Sequence, residues 1–223
     1  MMDYQPLPYI YRAAEQAGSR TLLLLHGTGG DERDLLPIAG QLGSGFNVLS
    51  VRGNVLENGM PRFFRRMGMG VFDEDDVRFR THELVEFLRQ IAPQKDFDLQ
   101  NVVALGYSNG ANLIGSVLLH YPELLAGAAL LRPMQPLREA PSAPTLANDD
   151  QKAPQSVPVF FAPGQRDPTV DPAATDRYAT LLTSQGFKLT RYDAPAGHNL
   201  TPQDIAQAAN WYQGHFADTT HKQ

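Results

Sequence analysis

Short, continuous apolar runs alternate along this chain with longer stretches in which apolar positions recur every three or four residues. "RTLLLLHG" (20–27) is such a run, closed by a glycine, the pattern of a strand buried on both faces. "DERDLLPIAGQL" (31–42) opens with acids and sets Leu35, Leu36, Ala39 and Leu42 at helical spacing. "FNVLSV" (46–51) predicts a second strand, and residues 52–73, rich in Gly and Arg, predict an irregular stretch. Residues 73–92 predict a helix whose acids gather at its start, where the helix dipole favours them; Val77, Leu84, Val85, Leu88 and Ile91 fall along one face. Strands follow at 101–108, 125–133, 157–164 and 187–193, the last with the alternation of an edge strand. Helices are expected at 109–122, 171–186 and 201–216, the final one with Thr201 as N-cap and Pro202 in its first turn. This alternation implies an α/β fold, a mostly parallel sheet with helices on both faces. A single domain over 1–223 is expected, with the proline-bearing stretch 133–156 as a surface excursion.

Composition narrows the function. The net charge of −5 argues against a general nucleic-acid binder. The absence of cysteine removes disulfides, zinc–thiolate sites and a cysteine nucleophile together. The N-terminal stretch lacks a basic start followed by an apolar run, and no apolar stretch reaches the ~18 residues of a membrane helix. The expectation is a cytoplasmic protein without a membrane span.

The stretch "LGYSNGAN" (105–112) places Ser108 between Gly106 and Gly110, where a strand passes into a helix. That is the context of a nucleophile elbow. The competing reading is a serine that caps the following helix. A serine nucleophile needs a base. His198, in the loop "DAPAGHNLTP" after the last strand, lies at the same sheet edge, whereas His82 and His120 belong to helices. Asp167 is the first acid after the strand 157–162, and Asp171 reads instead as the cap of the next helix, before Pro172. The order Ser108, Asp167, His198 is that of the α/β-hydrolases. An oxyanion hole would take one donor from the backbone N–H of Asn109 and one from the glycine-rich loop "HGTGGD" (26–31), with Thr28 N–H as the choice. His26 reads as a structural support of that loop.

These residues, together with "SVRGNVLENGMPRFFRRMGMGVFDEDD", "GYSNGAN", "PGQRDPTVDP" and "AGH", resemble the phospholipase/carboxylesterase family of α/β-hydrolases over about residues 20–216. The segment Arg52 to Asp76 is especially similar to its bacterial carboxylesterase branch. The resemblance implies an α/β-hydrolase fold without a large cap domain, a Ser108–Asp167–His198 triad, and an oxyanion hole at Thr28 and Asn109. It also implies action on small ester or thioester substrates, with neither metal nor organic cofactor, and a homodimer. An acyl thioesterase or a lysophospholipase would use the same triad, and a catalytically silent ligand-binding member is the non-enzyme alternative. Two departures stand out. Arg132 occupies a position where relatives often carry histidine, and the tract 140–156 is longer than usual.

"MPRFFRRMG" (60–68) sets Arg62, Arg65 and Arg66 beside Phe63 and Phe64, in the loop that Arg52 begins. One expectation is that this loop walls the substrate pocket and an arginine holds a carboxylate or phosphate. The other is that the arginines pair with the acids Asp73 to Asp76 in a solvated network worth little.

Overall fold

The computed structural model describes residues 4–139 and 156–216. In chain order its elements are β1 (Tyr9–Arg12), β2 (Thr21–Leu25), α1 (Leu36–Leu42), β3 (Asn47–Val51), β4 (Val55–Glu57), β5 (Met60–Arg62), β6 (Arg66–Gly68), β7 (Val71–Phe72) and α2 (Glu74–Lys95). They continue with β8 (Val102–Tyr107), α3 (Asn109–His120), β9 (Gly127–Leu131), β10 (Pro158–Ala162), α4 (Pro172–Ser184), β11 (Lys188–Arg191) and α5 (Pro202–Phe216). Seven strands form one sheet in the order β1-β3-β2-β8-β9-β10-β11. All neighbours are parallel except β1, which pairs antiparallel with β3.

The period of two in β2 shows how the sheet is covered. Leu23 and Leu25 join a core built with residues of α2, α3 and α4. Leu22 and Leu24 join a second core with α1 and α5. A continuous leucine run is therefore apolar on both faces because both faces carry helices. No described helix is long and apolar enough to cross a membrane.

The sequence expectations differ from the structure in three places. The helix expected from residue 31 starts at Leu36, with Pro37 in its first turn, while turns such as Asp34 N–H to Asp31 O precede it. Residues 52–73 are not irregular among themselves: they form two short hairpins, β4–β5 and β6–β7. Asn58 and Gly59, at φ 51° and 81°, make the first of these turns, a dipeptide suited to two positive φ values. The third is β1, whose half-buried pattern gives little periodic signal. Residues 140–155 of the expected surface excursion lie outside the described residues.

The loops that leave the carboxyl ends of β8, β9, β10 and β11 are tied together by backbone bonds. Ser108 N–H donates to Leu131 O at 2.8 Å, and Arg132 N–H to Ala162 O at 2.9 Å. Gly164 bridges Ala194, and Gln165 N–H donates to Ala194 O at 2.9 Å. Arg132 then does more than continue the strand. It sits at φ 54°, a left-handed conformation unusual for a residue with Cβ, and its side chain is fully buried against Asp204, also fully buried. The pairing is bidentate, 3.0 Å from Nη1 to Oδ1 and 2.7 Å from Nη2 to Oδ2. The remaining donors reach Gly197 O at 2.8 Å, Asn199 O at 3.2 Å and Ala162 O at 3.2 Å. Asp204 in turn accepts from Thr201 N–H and Oγ1, both at 2.7 Å, at the start of α5. Burial pushes the Asp204 carboxyl upward, but the bonds from Arg132 and Thr201 outweigh it and hold the group below its ordinary value.

At the opposite side of the site, His26 follows β2 and is buried. Its Nδ1 donates to Gly27 O at 2.6 Å and its Nε2 accepts from Gly53 N–H at 3.1 Å, which requires the neutral ring. Burial holds its pKa below the usual imidazole value, despite Gly27 O and nearby acids that favour the charged form.

Two predictions follow from these buried groups. Asp204→Ala leaves a guanidinium buried without its counter-charge and should cost about 3–5 kcal/mol in urea unfolding; a loss under about 1 kcal/mol, the scale of an exposed pair, would contradict the account. Unfolded His26 takes up a proton near pH 6.5, while the folded protein resists doing so until lower pH. Stability should therefore fall as pH drops below that value. His120, also lowered by burial, adds to the slope. Thermal unfolding between pH 7 and 5 should show a shallower slope for His26→Gln; an unaltered slope would refute the assignment.

Candidate active site

Ser108 lies between β8 and α3 with φ 51° and ψ −111°, a backbone geometry that costs energy and needs support. Its neighbours supply the space. A Cβ on Gly110 would stand 2.1 Å from Leu25 O, and one on Gly106 would stand 2.6 Å from Ala111 N. Only glycine at both positions lets α3 begin this close to β2 and β8. The Ser108 side chain makes no capping bond to the helix. Its Oγ is directed instead at His198, whose Nε2 lies 2.9 Å away.

On the other side of the ring, His198 Nδ1 is 2.6 Å from Asp167 Oδ2. Thr169 N–H and Oγ1 donate to Asp167 Oδ1 at 2.9 and 2.6 Å. Burial pushes the Asp167 carboxyl up, but the bonds from Thr169 and His198 outweigh it and hold the pKa below the ordinary value. An ionised Asp167 accepts a hydrogen bond from Nδ1–H, so the Nε2 lone pair faces the Ser108 hydroxyl. Asp171, the competing acid, accepts from Ala173 N–H at 3.0 Å as the cap of α4. Tyr107 O–H donates to His198 O at 3.1 Å, a further restraint on the loop that Arg132 grips at Gly197 and Asn199.

Thr28 and Asn109 both border the cavity above Ser108. Neither of their N–H groups donates to a backbone carbonyl among the described residues. Strand β5 and the residue after it hold both arms. Gly29 N–H donates to Pro61 O at 2.9 Å, Arg62 Nη1 donates to Thr28 Oγ1 at 2.7 Å, and Phe63 N–H donates to Asn109 Oδ1 at 2.7 Å. The cavity is about 250 Å³ and adds Arg66, Met69, Phe72 and Met134 to its wall. A larger cavity of about 510 Å³, between Phe72 and Leu137, is bordered by none of Ser108, Asp167 and His198; the smaller one is bordered by both Ser108 and His198.

The residues of the arginine-rich segment separate. Arg62 and Arg66 border the cavity. Phe63 and Phe64 do not: they are 2% and 0% exposed, packed into the core against His26 and Phe72 respectively. The expectation that they contact substrate is corrected by their burial, since two large rings after β5 fill space between the sheet and α2 rather than the pocket. Arg52 is drawn aside to Glu32 at 3.4 Å. The pairing expected with the acids of 73–76 holds for Arg65, which meets Asp73 at 3.0 Å and Asp76 at 3.6 Å. Arg62 and Arg66 turn to Glu57 instead. The roles of Tyr107, Thr169 and Asp204 were not foreseen from sequence; only Thr169, two residues past the acid as in an Asx turn, offered a local signal.

No protein-family model matches the chain. The protein named "Putative hydrolase MhqD" of Bacillus subtilis (strain 168) is 42% identical over 192 residues, covering 86% of this chain and 92% of that protein. The crystal structure of the Bacillus cereus carboxylesterase is 45% identical, covers 94% of this chain and 95% of the other, and superposes with a TM-score of 0.86. A more distant relative, acyl-protein thioesterase 1 of Cryptococcus neoformans, is 24% identical over 92% of this chain and 96% of its own. The chain belongs to the phospholipase/carboxylesterase-like α/β-hydrolases and is a carboxylesterase-type hydrolase.

Proposed function

We propose that the protein cleaves carboxylic esters through an acyl-enzyme formed on Ser108. The observation that carries this reading is the unbroken line of hydrogen bonds from Ser108 Oγ through His198 to Asp167, 2.9 and 2.6 Å. In the first step His198 Nε2 accepts the hydroxyl proton as Ser108 Oγ bonds to the ester carbonyl carbon. The carbonyl oxygen takes the negative charge and is met by the Thr28 and Asn109 N–H groups. Collapse of the tetrahedral species breaks the bond to the alcohol oxygen, which receives the proton from the imidazolium. Water, deprotonated by the same nitrogen, then releases the acid. Asp167 stays ionised throughout and stabilises the charged ring. The cycle requires neither a metal nor an organic cofactor.

Thioesters are the second substrate class, favoured by the likeness to acyl-protein thioesterase 1. A thiolate leaves without needing full protonation, so the same groups serve both. We take the substrate as a small molecule handled in the cytoplasm.

A fluorophosphonate probe tests the reading. The native protein should be labelled, Ser108→Ala and heat-denatured protein should not, and Ser108→Ala should reduce p-nitrophenyl ester hydrolysis to background. Asp167→Asn, which removes the ionised acceptor and lets an amide N–H face Nδ1 so that the ring takes the wrong tautomer, should lower kcat by about 10⁴. Labelling that persists in Ser108→Ala, or a folded native protein that resists the probe, would refute it; the second result would favour a silent ligand-binding protein.

A further inference from the structure

Two guanidinium groups and one carboxylate meet beside the cavity. Glu57 Oε1 accepts from Arg66 Nε at 2.9 Å, and Glu57 Oε2 accepts from Arg62 Nη1 at 3.2 Å. The hydrogen bond from Arg66 is foremost in holding the Glu57 carboxyl below its ordinary value, so the cluster carries one negative and two positive charges. Arg65, next in the chain, shows the contrast, since two acids stand against its single charge. Both Arg62 and Arg66 border the cavity that holds Ser108 and His198, and no Asp or Glu does so among its lining residues. The wall therefore presents excess positive charge at the place where substrate must sit.

The two arginines differ in what they can still do. Arg62 is buried and engaged, with Nε on Phe64 O at 3.2 Å and Nη1 shared between Thr28 Oγ1 and Glu57. It serves the oxyanion loop. Arg66 is only partly buried. Beyond Glu57, its Nη1 meets a weak acceptor, Met69 Sδ at 3.7 Å, and its Nη2 donates to no described residue. A planar fork with open donors, facing a reaction cavity and short of one negative charge, suits a carboxylate. The excess is a single charge, which matches a monoanion better than a phosphate dianion.

We infer that Arg66 forms an anion subsite, selecting esters or thioesters that carry a carboxylate a few bonds from the carbonyl under attack. This rests on the reading of Ser108 as the acyl-accepting nucleophile. The apolar remainder of the wall, Met69, Phe72 and Met134, would cover the short carbon chain between the two groups.

The test compares the mono-p-nitrophenyl ester of glutaric acid with p-nitrophenyl valerate, which share a leaving group and a chain length and differ in the terminal carboxylate. The quantity read is the ratio of their kcat/KM values. In Arg66→Gln the charged-to-neutral ratio should fall about 10-fold, the scale of one lost charge-assisted hydrogen bond, mainly through KM. Arg66→Lys should keep part of the preference. Arg89→Gln, which alters an exposed arginine of α2 paired with Glu86, should leave the ratio as in the native protein. The native preference should also weaken as salt is raised. Fluorophosphonate labelling of the same samples separates the two claims. Labelled proteins with an unchanged ratio in Arg66→Gln overturn the subsite alone, whereas an unlabelled native protein overturns the nucleophile and the subsite with it.

Discussion

A guanidinium and a carboxylate shut away from water must satisfy each other, and in doing so they set the geometry of everything around them. Arg132 and Asp204 are such a pair, and their demand reaches four segments of chain: the end of β9, the end of β10, the loop bearing His198, and the first turn of α5. Replacing the pair with apolar residues of similar volume can leave a protein as stable or more so. What apolar residues could not supply is five directed donors. Two of those donors hold the carbonyls on either side of His198, so the imidazole stands on a loop restrained from behind.

The opposite wall of the site is built on backbone restraint. The glycines at 106 and 110 admit a close approach between α3 and the sheet, and between them Ser108 sits at φ 51° and ψ −111°, a strained backbone geometry. Strand β5 and the residue after it then hold the segments of Thr28 and Asn109, the proposed oxyanion donors, through Pro61, Arg62 and Phe63. The consequence is chemical. Donors held in place before substrate arrives need no reorganisation when charge develops, which is where such sites gain most of their advantage. The same short hairpins bring Arg66 to the cavity, so restraint of the glycine-rich loop after β2 and charge at the cavity come from one insertion between β3 and α2.

Much of this was legible in the sequence wherever one local rule dominated. The leucine run of β2 could only be a strand covered on both sides, and the spacing Gly106–Ser108–Gly110 marked a turn too tight for other residues. Asp171 before Pro172 read as a cap and left Asp167 as the candidate acid; Asp171 caps α4, and Asp167 lies beside His198 Nδ1. Contacts between distant segments were not legible. Phe63 and Phe64 carry the same local pattern whether they line a pocket or fill a core, and only packing against His26 and Phe72 decides. Arg132 and Asp204 are 72 residues apart, and nothing near either one announces the other. The destination of Arg62 and Arg66 was missed for a related reason: acids at 73–76 looked like ready partners, but the β4–β5 turn folds Glu57 back onto them first.

The most direct test of the account is a crystal structure of the protein after reaction with an alkyl fluorophosphonate. The adduct mimics the tetrahedral species, with phosphorus in place of the attacked carbon. The account predicts phosphorus bonded to Ser108 Oγ and its phosphoryl oxygen within hydrogen-bonding distance of both Thr28 N and Asn109 N. An adduct on another residue, or a phosphoryl oxygen turned away from those two groups, would contradict it.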